Sequence, residues 1–362
     1  MESTESENMV ISQNKIDGMI YGFAFGDAWG YVTEFMQYPQ IVRKKVKPPH
    51  VLRVSDDTQM SLYNLAAIKD ILKQYSSDDL KELGQNVDLQ NQIRMIFASH
   101  HVDFYHDLEN NRAPGMTCMR ALETYLNTHN VSTGMEGATN NSNGCGTVMR
   151  APWFGALPYD RETVAYLAII QAQTTHGSHV GWIASALAAL LTRDLLNMNS
   201  DNVLGSKFIH YAKLVLSEIA KMPSNLIQDA QDGVQHLRDG LSQLGLKWDD
   251  FLDAPTQTDM TSFFGEGWVA DETLYNAIVA VAAYSSRSIY KRIQRLVWTN
   301  GDSDSLAAVG GAFLGAFKGY EALQYDVKSN LENRYQAELS AAAETYYKYV
   351  QSMERMNRKM SV

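Results

Sequence analysis

Cysteine is nearly absent from the 362 residues: Cys118 and Cys145 are the whole supply. Two thiols so placed exclude a disulfide framework and a structural zinc site. Positive charge is also short, with 31 Lys and Arg against 41 Asp and Glu and a net charge of −10. That balance argues against nucleic acid as the main partner, because too few counterions would be released from a phosphate backbone. The basic run Arg43-Lys44-Lys45-Val46-Lys47 before Pro48-Pro49 reads as a solvated loop. Apolar runs are short. The longest, around Trp182 to Leu191, is broken by Ser185 and ends at Arg193, well below the ~18 consecutive apolar residues of a membrane span. The acidic start, Met1 to Glu7, lacks the basic-then-apolar order of a signal peptide. A cytoplasmic protein without membrane contact is expected. Period-two strand runs and fixed-period repeats are missing too, which leaves little room for a sheet or a solenoid.

What is present is helical periodicity, and 45% hydrophobic with 20% charged residues describes a globular chain with a sizeable core. We read an all-α single domain over 15–362, preceded by a flexible acidic extension over 1–14, and a monomer. Helices are predicted from Lys15 to Gln37, from Ser55 to Tyr75, over 78–84, 88–106, 116–128 and 161–174, from Val180 to Leu196, through much of 197–262, from Thr273 to Ser285, and over 327–355. Gly18, Gly22, Gly26 and Gly30 recur every four residues, as do Gly311, Gly315 and Gly319. Each set lies on one helix face. Glycine in a helix interior costs about 0.5–1 kcal/mol relative to alanine, so two such stripes predict close backbone approach of the two ends of the chain.

Two acidic corners carry the chemistry. Ser55-Asp56-Asp57-Thr58 and Gly301-Asp302-Ser303-Asp304-Ser305 each begin a helical pattern. Ser and Asp there serve as ordinary N-caps suited to the helix dipole. A cap needs one oxygen, however, and each corner has a second carboxylate within two positions. Clustered carboxylates and hydroxyls, without His or Cys, suit Mg²⁺, Ca²⁺ or Mn²⁺. Facing corners would hold enough charge for two ions.

Other segments stay open between two readings. Asp27 and Glu34, seven apart on the first helix, project from nearly one face, as a site pair or with Glu34 as an exposed helix-end acid. The polar stretch 128–143 reads as a long loop. It leads into Asn143-Gly144-Cys145-Gly146, whose free N–H groups fit a phosphate or a plain tight turn. His176 and His179 share a helix face as a functional pair or sit buried and hydrogen-bonded. Trp268, between Gly267 and Val269, stacks on a base or, the favoured reading, fills the core.

In this order the motifs resemble those of the ADP-ribosylglycohydrolases: Gly22-Phe23-Ala24-Phe25-Gly26-Asp27-Ala28-Trp29-Gly30 with Glu34, then Ser55-Asp56-Asp57-Thr58, Ser142-Asn143-Gly144, Met149-Arg150, His176, Gly265-Glu266-Gly267-Trp268 and Gly301-Asp302-Ser303-Asp304-Ser305. That family includes the dinitrogenase reductase-activating glycohydrolases and the ADP-ribosyl-acceptor hydrolases. The resemblance implies an orthogonal all-α fold with two Mg²⁺ ions, or Mn²⁺, held by Ser55, Asp56, Asp57, Asp302, Asp304 and Ser305. It implies hydrolysis of ADP-ribose from protein side chains, arginine foremost. Glu34 or Asp304 would take the water's proton, with Glu34 favoured. Asn143, Gly144, Cys145, Gly146 and His176 would contact the diphosphate, and Trp268 the adenosine end. The chain departs from the family pattern at Ser55 and Ser305, where threonine is usual, and at Cys145 and Thr147 in the glycine loop. Two rivals accompany this reading. One is a cysteine hydrolase with Cys145 as nucleophile and His176 or His179 as base. The other is an immunity protein whose acidic extension blocks an ADP-ribosyltransferase toxin.

Overall fold

The computed structural model describes residues 11–128, 140–198, 205–255, 258–283 and 287–360. Its longer helices are α1 (Gln13–Gly30), α2 (Asp56–Gln74), α3 (Val87–Tyr105), α4 (Met116–Thr128), α5 (Arg161–Gln173), α6 (His179–Asn197), α7 (Ser206–Ile219), α8 (Gln231–Leu246), α9 (Ala270–Ala282), α10 (Ser303–Lys318) and α11 (Asn333–Met360). No strand forms among the described residues. Leu52 with Leu331 and Gly144 with Val269 make isolated bridges. The fold is all-α, as the periodicity predicts. No described helix is long and apolar enough to cross a membrane. The acidic extension falls almost wholly on residues 1–10, outside the described residues, and so does 129–139 of the long polar loop.

The glycine stripes account for the architecture. A Cβ at Gly18, Gly22, Gly26 or Gly30 would overlap the carbonyl oxygen of Gly315, Gly311, Ala307 or Ser303 respectively. Each step of four up α1 is a step of four down α10, so the two helices run antiparallel with their backbones in contact. Both are buried along nearly their whole length. Alanine at these positions would force the helices apart, and every residue fixed to that register would move. The consequence for function is direct: the C-terminal end of α1 lies beside the first turn of α10.

α1 begins and ends earlier than its hydrophobic pattern predicts. Ser12 caps it through Lys15 N, Ile11 is already in the core, and the helix stops at Gly30 rather than near Gln37. Beyond it the chain turns back, because the Thr33 hydroxyl bonds Val297 O at 2.9 Å and Ser303 Oγ at 2.9 Å. The residues from Tyr31 are thereby tied to the start of α10. The C-terminal helical segment is also split, into Val327–Asn330 and α11, at the Leu331 that bridges to Leu52. The described part of the 197–262 stretch packs as α7, α8 and shorter helices, with Phe208, Leu216, Leu237 and Leu241 in the core.

Candidate active site

The two acidic corners meet. Ser55 caps α2, its hydroxyl accepting from Asp57 N at 3.3 Å, and Asp302 caps α10 by accepting from Ser305 N at 3.4 Å. Across the gap, Ser305 Oγ donates to Asp57 Oδ1 at 3.2 Å. Glu34, Asp302 and Asp304 each present an oxygen within 4.8 Å of the others. Glu34 is therefore a buried member of the cluster and not an exposed helix-end acid. The tight turn after Gly30, which the helical pattern did not foretell, brings it in.

Asp27 plays a different part. It is wholly buried, and it accepts from Ser55 N at 2.8 Å, from Thr58 N at 3.1 Å and from the Thr58 hydroxyl. Its carboxylate splints the first turn of α2 to α1. Since α1 is locked to α10 by the glycine contacts, this side chain sets the distance between the corners together with the Ser305–Asp57 hydrogen bond.

Burial without counter-ions leaves the cluster strongly acidic in composition and reluctant to ionise. Desolvation, then Asp304, Asp56 and Asp27, push Glu34 up to about 9. Burial and neighbouring carboxylates raise Asp56, Asp57 and Asp304 well above the usual range, and burial lifts Asp302 to about 6. Glu34 Oε2, Asp57 Oδ2 and Asp304 Oδ1 are buried with no hydrogen-bond partner among the described residues. Buried polar oxygens are rarely left so. The donor set suits a hard divalent cation, being all oxygen.

The carboxylates line a cavity of about 480 Å³, within the range of small-molecule sites. Its lining includes Glu34, Asp56, Asp57, Asp302 and Asp304 and, among the described residues, no lysine or arginine. The adjoining wall is the glycine loop. Gly144, Cys145 and Gly146 line the cavity, with the ring of His176 packed so closely that a Cβ at Gly144 would lie 3.0 Å from its Nε2. Arg150, wholly buried, holds this wall by donating to Gly146 O, Gln171 Oε1 at 2.6 Å and Thr175 Oγ1 at 2.9 Å. Asn143 contributes through its backbone, its carbonyl accepting from Ala270 N at 2.8 Å, and is not part of the lining. Ser55 also lies behind the lining, as a cap.

The histidines are not a pair on one helix face. His176 precedes α6, is buried, and shares a 2.8 Å hydrogen bond between its Nδ1 and Thr175 Oγ1; burial, with Arg150 nearby, drives its pKa down to about 3. His179 opens α6 and pairs with Asp232 at 2.6 Å, away from the cavity lining. Cys145 donates its thiol to Asp302 Oδ2 at 2.7 Å, and burial together with Asp302 raises its pKa well above that of a free thiol. A nucleophilic cysteine needs an electropositive setting, and this one faces carboxylates. Trp268 is not in the core: it is 43% exposed and lines the cavity.

Two parts of the site escape sequence reasoning. The segment Ala113 to Thr117 lines the cavity and donates Gly115 N to Asp56 Oδ2 at 3.2 Å. It is anchored by Arg112, which pairs with Glu332 and Glu109. The Pro114-Gly115 breaker pair marks a turn, yet nothing local says which carboxylate it covers. Phe35, beside Glu34, is the other.

Comparison with known proteins agrees with this geometry. The solved structure described as "ADP-ribosylglycohydrolase-related protein complex" superposes with a TM-score of 0.62 at 22% identity, over 93% of this chain and 98% of that one, and so shares the fold. The sequence model of the ADP-ribosylglycohydrolase family matches residues 9–355. With nearly the whole chain matched, the protein belongs to the ADP-ribosylglycohydrolase family, glycohydrolases that cleave linkages to ADP-ribose.

Proposed function

We propose that the protein is a divalent-cation-dependent hydrolase that releases ADP-ribose from modified protein side chains, with arginine as the acceptor. The observation that carries this reading is the set of partnerless buried oxygens, Glu34 Oε2, Asp57 Oδ2 and Asp304 Oδ1, around one cavity. Asp56, Asp57, Asp302, Asp304 and Ser305 would hold the cation, Mg²⁺ or Mn²⁺, with room in the charge count for two. Bound there, the ion supplies Lewis-acid activation of a water and offsets the carboxylates' charge.

The chain's own groups do the rest. A diphosphate brings negative charge into a cavity with no cationic side chain in its lining among the described residues; Gly144 N and Cys145 N already donate to Ser142 Oγ and Trp268 O, so what the glycine loop offers is the close backbone approach that Gly144 and Gly146 permit. His176, kept neutral by burial, backs that loop without adding charge. Cleavage at an anomeric carbon passes through an oxocarbenium-like state, which neighbouring carboxylates stabilise. Glu34 is assigned the proton of the attacking water. Without a cation, burial and the neighbouring acids hold Glu34 protonated; offsetting their charge is what would let it ionise and accept that proton.

The test is incubation with Arg-linked and Ser-linked ADP-ribosylated peptides, with and without Mg²⁺, beside Asp302→Ala. Release from the Arg-linked peptide that requires both the cation and Asp302 supports the reading. Release from neither substrate rejects it.

A further inference from the structure

Phe35 and Trp268 are the only exposed Phe and Trp among the described residues, at 75% and 43%, and both line the cavity. Their rings face one another, centroids 6.5 Å apart and planes 26° from parallel. Chance solvent exposure does not explain two large rings brought together from residues 35 and 268 at one mouth. Both are also fixed. Phe35 follows the turn that Thr33 ties to α10. Trp268 has its carbonyl bonded by Cys145 N at 3.1 Å and its indole N–H directed to Glu266 Oε2 at 3.3 Å. Two acids outside the proposed cation set adjoin the pair, Glu34 as the chain neighbour of Phe35 and Glu266 as the partner of Trp268, and among the described residues no lysine or arginine lines the cavity.

We propose that Phe35 and Trp268 form the subsite for the acceptor side chain, and that its occupant is the planar, cationic guanidinium of ADP-ribosylated arginine. This rests on the hydrolase reading above. A cation between these rings would lie within about 6 Å of both centroids, the distance at which a ring face attracts it. Arginine stacks on aromatic faces as serine cannot, and Glu34 and Glu266, which lie outside the cation's ligand set, favour its charge. A neutral purine would gain stacking from the rings but nothing from the acids. A serine acceptor has neither a flat face nor a charge to offer. The pair therefore selects arginine over serine, and its contribution is confined to the acceptor end.

The test compares wild type with Phe35→Ala and Phe35→Tyr. Phe35 is largely exposed, so both variants should fold. Expected results are a roughly tenfold fall in kcat/KM on the Arg-linked peptide for Phe35→Ala, recovery in Phe35→Tyr, and affinity for free ADP-ribose by calorimetry within about twofold of wild type. An equal loss of ADP-ribose affinity would show the rings holding adenine, and unchanged kcat/KM on the Arg-linked peptide would show them idle; either overturns the proposal. Preference of the wild type for the Ser-linked peptide also overturns it. A second readout stands apart from turnover. Methylguanidinium titrated into the Mg²⁺-loaded protein should shift the indole N–H resonance of Trp268, and the shift should weaken in Phe35→Ala. An inactive wild type that still shows this shift would sink the hydrolase reading and leave the guanidinium subsite standing, whereas no shift in wild type sinks the subsite.

Discussion

Asp27 and Asp304 are both buried aspartates on helices that touch, yet they do opposite things. Asp27 accepts three hydrogen bonds from Ser55 and Thr58 and is complete within the protein. Asp304 keeps an oxygen with no partner, as do Asp57 and Glu34. Burial lifts Asp27 only to about 6, with the bonds from Thr58 and Ser55 working against it, whereas Asp304, beside Asp302, goes well above the usual range. The difference separates an acid that builds the site from acids that need something brought to them. Residue type does not reveal this distinction; donor count does.

The sharpest break in the comparison comes from removing one acid of each kind. Asp304→Ala should lower kcat/KM on the Arg-linked peptide by a factor on the order of 10³ or more. The cation-free fold should survive unharmed, because a strained carboxylate has gone. Asp27→Ala should instead destabilise the fold by roughly 2–4 kcal/mol, through the donors it strands, and activity should fall with the folded fraction and the lost register. Denaturant melts and steady-state rates on the same preparations separate these outcomes. Were Asp304→Ala the less stable of the two, the distinction between building and binding acids would fail.

The next effect concerns the helix contact on which both acids depend. Gly26→Ala drives a methyl into the Ala307 carbonyl. It should cost roughly 2–4 kcal/mol by overpacking and weaken cation binding, since α1 and α10 carry opposite sides of the site. Calorimetric stability together with Mg²⁺ affinity checks this.

Much of this is legible in the sequence itself. Glycines at a spacing of four mark a face in any helix, so the α1–α10 contact can be read, and carboxylates doubled within two residues overdo a cap, so the corners can be read. Glu34 can be named but not placed, because its burial depends on a turn made by Thr33 with a residue 264 positions away. Phe35 leaves no trace at all. A single exposed aromatic fits no period, and its meaning comes only from Trp268 across the mouth. The ion pair of Arg112 with Glu332, 220 positions away, which helps hold the Ala113 to Thr117 wall, is hidden for the same reason.

A third prediction follows from the sign of the shifts. Glu34, Asp57 and Asp304 bind their protons more tightly folded than unfolded. The cation-free protein should thus lose stability as pH rises from about 4, the unfolded carboxylate value, toward the value of about 9 for Glu34. Tm should fall by roughly 5 °C between pH 5 and pH 8, and saturating Mg²⁺ should flatten that slope. A cation-free Tm that rises over this range would contradict the account. The smallest effect belongs to the thiol: Cys145→Ser should keep activity within about threefold, since the hydrogen bond to Asp302 can be made by a hydroxyl. Abolition of turnover in that variant, with Mg²⁺ affinity intact, would revive the cysteine-hydrolase reading.

The most direct test of the central claim is calorimetric titration of Mg²⁺ at neutral pH in buffers of different ionisation enthalpy. If the partnerless Asp57 and Asp304 carboxylates are the cation's ligands, binding should release protons, and Asp57→Asn or Asp304→Asn should abolish both the binding and the release. Absence of binding by Mg²⁺, Mn²⁺ and Ca²⁺ alike, or binding that leaves the proton count unchanged, would contradict it.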